Sequence, residues 1–237
     1  MRLPLLLLGA VQLAYGEPQV FVSRPTRTHL VELFTSEGCS SCPPAEAWLA
    51  KLRDEPGLWR DFVPVAWHVD YWDRLGWKDR FASRQATQRQ HAYAQAWRSA
   101  SVYTPCFAID GREVRGPNVP RASKEHGGIL RASLDGDTLS VSFSDVSPDR
   151  HVAHAVILGM GIASKITRGE NRGRELRHEF VALTPLQSVP LSGGRAEIIL
   201  QNRLEANAPE LAIAVWITRS DELDVVQATG GLLPPHR

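Results

Sequence analysis

The feature that most constrains the fold is a pair of cysteines, Cys39 and Cys42, in the run Gly-Cys-Ser-Ser-Cys-Pro. An apolar segment rich in strand-forming residues, 29–35, precedes the pair. Pro43 and Pro44 follow it and suit the first turn of a helix, where a missing N–H group costs little. A C-x-x-C between a strand and a helix is more specific than the spacing alone, and it predicts a thiol or disulfide site at a helix N-terminus.

Strand and helix patterns alternate along the first half of the chain. Residues 62–69 are almost continuously apolar, as in a strand buried on both faces, and residues 83–99 are typical of a helix. Asp110-Gly111 lies between two short strand patterns and indicates a hairpin, and residues 120–133 predict a closing helix. This order predicts a mainly parallel sheet with an antiparallel edge, which is the thioredoxin topology.

The pattern changes after residue 134, where short strand-like segments are separated by turn signals. We therefore predict an α/β thioredoxin-like domain at residues 17–134, followed by a β-rich, sandwich-like C-terminal domain at residues 135–237. The predicted strands of the second half are residues 139–146, 152–159, 175–183, 195–200, 211–218 and 225–228.

The first sixteen residues have the pattern of a secretory signal peptide. Arg2 is followed by a short apolar run, and Ala14-Tyr15-Gly16 resembles a cleavage site. We expect a periplasmic or secreted protein without a stable membrane anchor after cleavage; an uncleaved anchor or a buried helix is the alternative. With 27 basic and 26 acidic residues, the net charge of +1 argues against a nucleic-acid-binding surface.

The position of the cysteines predicts their chemistry. A helix N-terminus carries a partial positive charge that stabilises a thiolate, so Cys39 would be the nucleophile. Cys42, one turn later, would close the disulfide and resolve mixed disulfides. The alternative is a static disulfide that caps the helix.

Thr104-Pro105 is a second candidate feature, about sixty residues after the cysteines. In thioredoxin-like folds a cis-proline at the start of a strand faces the cysteine pair. The main chain of Thr104 could then pair with an extended peptide substrate. An ordinary trans proline is the alternative.

Glu32 lies within the apolar run before the cysteines. A buried carboxyl group at this position could move the proton of the resolving cysteine, because burial raises the pKa of a carboxyl group towards neutrality. A partly exposed glutamate at a strand end is equally consistent with the sequence.

Two further residues have open roles. His68 follows the second strand pattern and could stabilise a thiolate, ligate a metal, or serve as a hydrogen-bonded structural histidine, which we favour. Cys106 follows Pro105 and would be a third thiol near the site, although a buried inert thiol is the preferred interpretation.

Five segments of the chain carry long and specific motifs: residues 31–45, 68–73, 76–79, 103–105 and 168–171. Together they resemble the family known as domain of unknown function 1223, whose members are often exported and thioredoxin-like. The resemblance implies this fold and supports the pairing of Cys39 with Cys42. The chain departs from the family pattern at Cys106, where a glutamine is usual.

The leading hypothesis is an exported thiol–disulfide oxidoreductase that acts through Cys39, Cys42, Thr104-Pro105 and Glu32, with protein thiols or disulfides as partners. We assign no cofactor and no metal ligand. One alternative is a non-catalytic binding module with a permanent disulfide. Another is a copper-binding protein in which both cysteines and His68 hold Cu(I), since soft thiolates with imidazole suit that ion.

Overall fold

The computed structural model describes residues 17–144, 150–200, 208–219 and 223–234. The predicted signal peptide, residues 1–16, therefore lies outside the described residues. Short 3₁₀ turns lie at Leu52–Asp54, after the first helix, and at Asp70–Leu75, after the third strand. In chain order the other elements are β1 (Gln19–Val22), β2 (His29–Thr35), α1 (Pro43–Lys51), β3 (Phe62–His68), α2 (Arg84–Ala96), β4 (Cys106–Ile109), β5 (Arg112–Val114), β6 (Leu130–Asp135), β7 (Thr138–Phe143), β8 (His151–Met160), β9 (Ile162–Lys165), β10 (Glu175–His178), β11 (Val181–Ala182), β12 (Gln187–Pro190), β13 (Arg195–Ile199), β14 (Glu210–Arg219) and β15 (Val225–Leu232).

A nine-stranded mixed sheet runs through the molecule in the order β15-β14-β8-β11-β3-β2-β4-β5, with β12 paired to β8. β2 pairs in parallel with β3 and antiparallel with β4. β11 lies between β3, to which it is parallel, and β8, to which it is antiparallel. Strands from before and after residue 134 therefore belong to one sheet.

Most predicted elements of the first half form where the sequence places them, including the hairpin at Asp110-Gly111, where both residues have positive φ. The predicted helix over residues 120–133 is wrong. Leu130, Ala132 and Leu134 are buried and alternate with more exposed neighbours, and this period of two forms strand β6. β6 pairs with β1 on one side and β7 on the other, so its backbone hydrogen bonds go to neighbouring strands.

A second sheet, in the order β1-β6-β7-β13, packs on one face of the large sheet. Side chains such as Leu130 and Val141 from the small sheet meet Ile157, Ile213 and Val215 from β8 and β14. The described chain is thus mostly β-structure with mixed pairing, and two stacked sheets enclose one of its two apolar cores.

The two helices cover opposite faces of β2. Tyr93 of α2 packs edge-on against Phe34, whereas Glu46 of α1 accepts a hydrogen bond from the neighbouring Thr35. Successive residues of a strand point to opposite faces, so this pair of contacts separates an α1 face from an α2 face. No helix in the described ranges is long and apolar enough to cross a bilayer.

Candidate functional site

Cys39 and Cys42 form a disulfide at the N-terminus of α1. The carbonyl of Cys42 begins the helix by accepting hydrogen bonds from the N–H groups of Ala45 and Glu46, at 2.9 and 3.1 Å. The exposed fraction of both cysteines is 0%. A partner thiol therefore reaches the sulfur atoms only after the surrounding segments move.

The Thr104–Pro105 segment lies against the disulfide, and its peptide bond is cis, in agreement with the sequence prediction. The carbonyl oxygen of Thr104 is 3.9 Å from Cys39 Sγ. The indole N–H of Trp72 donates to Thr104 Oγ1 at 2.8 Å and so holds this segment in place. The structure thus brings together four of the five predicted site residues, Cys39, Cys42, Thr104 and Pro105.

The segment between β2 and α1, residues 36–42, is called the cysteine loop below. The loop between β9 and β10, residues 166–174, forms hydrogen bonds with it. Asn171 is fully buried, and its side-chain amide donates to the carbonyls of Glu37 and Cys39, both at 2.9 Å. The carboxylate of Glu170 accepts from the N–H and the hydroxyl of Ser40, at 3.2 and 2.6 Å. These two hydrogen bonds lower the pKa of Glu170.

Glu32, the fifth predicted residue, belongs to a different group of contacts. It is fully buried on the α2 face of β2 and accepts hydrogen bonds from Trp67 at 2.8 Å, from Arg89 at 2.6 Å and from Tyr93. Burial would lower the pKa of Arg89, but the charge of Glu32 raises it. The carboxylate therefore balances a buried guanidinium group, and the structure does not bring it to the α1 face with the cysteines.

Cys106 also faces α2. It lines a small space with Gln90 and Ala94 of that helix, and it is buried and unpaired. Burial raises the pKa of its thiol to about 11. These surroundings suit the buried inert thiol that the sequence analysis prefers.

A buried cluster of polar side chains lies directly behind the cysteine loop. His68 Nδ1 lies 2.7 Å from Asp79 Oδ2, and His178 Nδ1 lies 2.5 Å from Glu46 Oε2. The two imidazole rings meet edge-on, with centroids 5.3 Å apart. Glu37, whose N–H donates to Asp79, places its carboxylate 3.2 Å from His178 Nε2. His68 is thus a buried, hydrogen-bonded residue of this cluster.

In this cluster each histidine lies against carboxylates, and the opposite charges stabilise each other's ionised forms. Burial would lower the pKa of His178, but its carboxylate partners Glu37 and Glu46 raise it to about 9. Burial would raise the pKa of Asp79, but the charge of His68 and its hydrogen bonds lower it to about 2. Burial would also raise the pKa of Glu37, but the hydrogen bond with His178 and other contacts lower it. The cluster therefore holds ionised carboxylates in an environment closed to water.

Comparison with known proteins identifies the family. The sequence profile of DUF1223, described as a protein of unknown function, matches residues 30–218. The chain belongs to the DUF1223 family. A search among curated proteins gives no match.

Two solved structures resemble the DUF1223 protein in fold. The crystal structure of a protein from Agrobacterium tumefaciens is 23% identical over 90% of this chain and 100% of its own, with a TM-score of 0.64. HBP35 of Porphyromonas gingivalis is 11% identical over 89% of this chain and 76% of its own, with a TM-score of 0.56. At these identities the likeness concerns the fold alone.

Sequence reasoning missed much of what surrounds the disulfide in the DUF1223 protein. Glu37, Glu46 and Asp79 lie inside or next to the motifs that carry the family resemblance, but nothing local indicates that they meet. His178 could have been found from β10, because Leu176 and His178 alternate with charged residues and so predict an inward-facing histidine. No local signal brings Asn171 to a loop 132 residues earlier.

Proposed function

We propose that this DUF1223 protein is an exported, thioredoxin-like thiol–disulfide oxidoreductase whose exchanging pair is Cys39 and Cys42. One observation carries the proposal: the disulfide lies at the N-terminus of a helix, with the Thr104 carbonyl 3.9 Å from Cys39 Sγ. That carbonyl is where the main chain of an extended substrate could pair while its sulfur approaches Cys39. A helix N-terminus would also stabilise the thiolate that exchange requires.

The order of elements supports the thioredoxin-like part of the proposal. The run β2-α1-β3-α2-β4-β5 places a parallel pair at the centre of its sheet and an antiparallel hairpin at the edge. The disulfide follows β2, the strand between β3 and β4, and each helix covers one face of β2. In this arrangement the N-terminus of α1 and the Thr104–Pro105 turn both lie next to the disulfide.

The exchange can be written in two steps. In the oxidising direction, a substrate thiolate attacks Cys39 Sγ, the bond between Cys39 and Cys42 breaks, and Cys42 leaves as a thiolate that takes up a proton. A second substrate thiolate then attacks the substrate sulfur of the mixed disulfide and releases Cys39. The substrate dithiol loses two electrons and two protons, and the cysteine pair gains them; reduction of a substrate disulfide runs the same steps backwards.

Two features support export. Residues 1–16 carry the signal-peptide pattern, and disulfides persist in oxidising compartments outside the cytosol. The substrates in such a compartment would be thiols or disulfides of other exported proteins.

A non-catalytic binding module with a permanent disulfide is the second candidate. The observation that favours it is the full burial of both cysteines beneath contacts from Trp72, Thr104 and Asn171. In that case the disulfide would fix the start of α1 and the shape of the surface around it. Copper ligation by both cysteines and His68 has less support, because Cys39 and Cys42 are joined in a disulfide and so offer no thiolate ligands.

The reduction potential of the cysteine pair separates the two candidates. The Cys106→Ser variant, which keeps only Cys39 and Cys42, would be equilibrated with glutathione buffers, and free thiols would be counted by mass spectrometry. A midpoint between roughly −270 and −120 mV, the range of known oxidoreductases, supports exchange. A disulfide that resists reduction below about −300 mV would support the structural role instead.

A further inference from the structure

We infer that His68 and His178, together with the Glu37 carboxylate that faces His178 Nε2, form a buried binding site for one divalent transition-metal ion. The site lies behind the cysteine loop and uses neither cysteine. It is therefore independent of the exchange chemistry proposed above, and each can fail without the other.

The first support is a set of buried atoms without hydrogen-bond partners. In the described part of the chain, His68 Nε2, His178 Nε2 and Glu37 Oε1 are closed to solvent and make no aligned hydrogen bond, although the last two face each other as an ion pair at 3.2 Å. Both histidines are almost fully buried, at 2% and 1% exposure. A buried polar atom without a hydrogen bond is unfavourable and therefore uncommon, so three such atoms in one cluster indicate a ligand that they could bind.

The second support is the way each imidazole is oriented. The Nδ1 atom of His68 is paired with Asp79 and that of His178 with Glu46, so each ring presents Nε2 as its free atom. Metal-binding histidines usually donate their other ring N–H to a carboxylate in this manner. Asp79 and Glu46 thus hold the two rings as the supporting carboxylates of a metal site do.

The distances suit a shared ion. A donor atom of His68 and one of His178 lie within 4.8 Å of each other, and a carboxylate oxygen of the supporting Glu46 lies within the same distance of both. His178 Nε2 and Glu37 Oε1 are 3.2 Å apart and yet are not aligned as a hydrogen bond. Two ligand atoms bound to one tetrahedral ion at 2.0–2.1 Å are about 3.3 Å apart, so these two atoms already have the separation that a shared ion requires.

The charge of the cluster also favours a cation. Three buried carboxylates, Glu37, Glu46 and Asp79, surround two imidazoles. In the metal-free protein the imidazolium charges balance these carboxylates, as described above. Metal binding needs neutral imidazoles, so the protons that leave would expose three negative charges in a closed environment unless a cation took their place. A divalent ion supplies two positive charges and also binds the free lone pairs.

An opening leads to the cluster from the surface. A cavity of about 510 Å³ near the start of α2 is lined by His68 and Phe81, among others. The ring of Phe81 contacts both imidazoles, at centroid distances of 5.4 Å from His68 and 5.7 Å from His178. Movement of this half-buried side chain would give an ion access to the two Nε2 atoms.

The donor atoms indicate the class of ion. Two imidazole nitrogens and carboxylate oxygens are typical of sites for Zn²⁺ and of iron sites with two histidines and one carboxylate, whereas Ca²⁺ and Mg²⁺ take oxygen ligands. We therefore expect Zn²⁺, or Co²⁺ as its spectroscopic probe, to bind in one equivalent.

The test uses the purified full chain with its disulfide oxidised, so that the cysteines cannot ligate. The protein is treated with EDTA, refolded with Co²⁺, and dialysed. We expect one Co²⁺ per chain, with visible bands of a low-coordinate ion and no thiolate charge-transfer band in the near ultraviolet. Binding should survive in a Cys39→Ser/Cys42→Ser variant and fall by more than about 100-fold in His178→Ala, because even the loss of a supporting residue costs 10–100-fold.

His91→Ala is the matched control, since His91 is an exposed histidine on α2 whose loss should leave binding unchanged. The wild-type spectrum keeps the test decisive if the His178→Ala chain does not fold. Less than about 0.1 equivalent of bound Co²⁺, a spectrum with thiolate bands, or unchanged binding in a folded His178→Ala variant would overturn the proposal.

Discussion

The side-chain amide of Asn171 donates a hydrogen bond of 2.9 Å to the main-chain carbonyl of Cys39, which lies 132 residues earlier in the chain. A second bond of 2.9 Å from the same amide reaches the carbonyl of Glu37. Two parts of the chain therefore fix the cysteine loop: α1 continues directly from it, and Asn171 of the β9–β10 loop forms hydrogen bonds with it. We expect the rate at which the disulfide is reduced to depend on these two hydrogen bonds.

Replacement of Asn171 by Ala should speed reduction of the disulfide. The change removes the side-chain donor from the buried carbonyl of Glu37 and leaves the carbonyl of Cys39 with only the N–H of Cys42, at 3.3 Å. Loss of a donor from a buried acceptor costs about 1–3 kcal/mol, and this cost falls on the loop that carries the cysteines. We expect the rate of reduction by dithiothreitol, followed by mass spectrometry, to rise at least several-fold. Asn118→Ala, at an exposed position, is the control.

The free energy of unfolding, measured by urea titration of the same variants, separates local from global opening. A rise in rate that remains under conditions where the Asn171→Ala chain is fully folded indicates local release of the loop. An unchanged rate, despite a lower free energy of unfolding, would show that Asn171 does not control access to the disulfide.

Glu170 should influence the thiolate of Cys39 in the reduced protein. Its carboxylate binds the N–H and hydroxyl of Ser40, the residue next to Cys39, and a nearby negative charge disfavours a second one. In Glu170→Gln we therefore expect the pKa of Cys39 to fall. The pH dependence of alkylation by iodoacetamide measures this shift.

The control for that experiment is Glu175→Gln, which removes an exposed carboxylate from the same hairpin, next to Arg177. Both variants change the net charge equally, so a shift common to both would reflect the overall charge of the protein. A shift confined to Glu170→Gln would locate the effect at Ser40. A rise in the pKa of Cys39 would contradict the expected sign.

The sequence predicted those parts of the fold that depend on local periodicity. β2 and β3 are continuous apolar runs, and the start of α1 is marked by Pro43 and Pro44, so each signal lies within its own element. The helix predicted at residues 120–133 failed because strand β6 is specified by its partners β1 and β7. Pairing between segments that are distant in the chain cannot be recognised from the local pattern of a single sequence.

The same distinction explains the site. Cys39, Cys42 and Thr104-Pro105 are recognisable because each motif carries its own chemistry. The partners of Glu32 could not be predicted, since Arg89 reaches it from α2, 57 residues later. The alternation along β2 did contain a clue: Glu32 and Phe34 share a face, and Phe34 packs against α2.

Glu32→Gln should destabilise the protein without altering the pH dependence of exchange. Removal of one partner from a buried ion pair costs about 3–5 kcal/mol, because Arg89 keeps its charge in a closed environment. Urea unfolding should show a loss of this order, and the double variant Glu32→Leu/Arg89→Met should recover much of it.

The pH profile of disulfide reduction in the Glu32→Gln variant tests the sequence-based role of Glu32 directly. If Glu32 moved the proton of Cys42, the variant would lose a titration step from the profile even at temperatures where it is folded. We expect the profile to keep the wild-type shape, since the carboxylate is held by Trp67, Arg89 and Tyr93 on the α2 face.

His154 should make the protein less stable in mild acid. The ring stacks on Trp216 with centroids 5.3 Å apart, and its nitrogens lie 2.8 Å from the hydroxyls of Ser188 and Thr218. The ring is half-buried, and this partial burial, with a smaller contribution from the charge of Arg89, lowers the pKa of His154 to about 3. An unfolded histidine has a pKa of about 6.5, so between these two values the unfolded chain binds a proton that the folded chain refuses.

The free energy of unfolding should therefore fall as the pH falls from about 6.5 towards 3, with a slope from this one group of up to about 1.4 kcal/mol per pH unit. Urea titrations at pH 7.5 and pH 4.5 measure the difference. His154→Gln, which keeps a polar side chain but cannot take up the proton, should lose less stability over that interval than the wild type. His91→Gln, at an exposed position on α2, should behave like the wild type. If the His154→Gln chain shows the full acid-induced loss, the half-buried neutral imidazole of His154 is not its source.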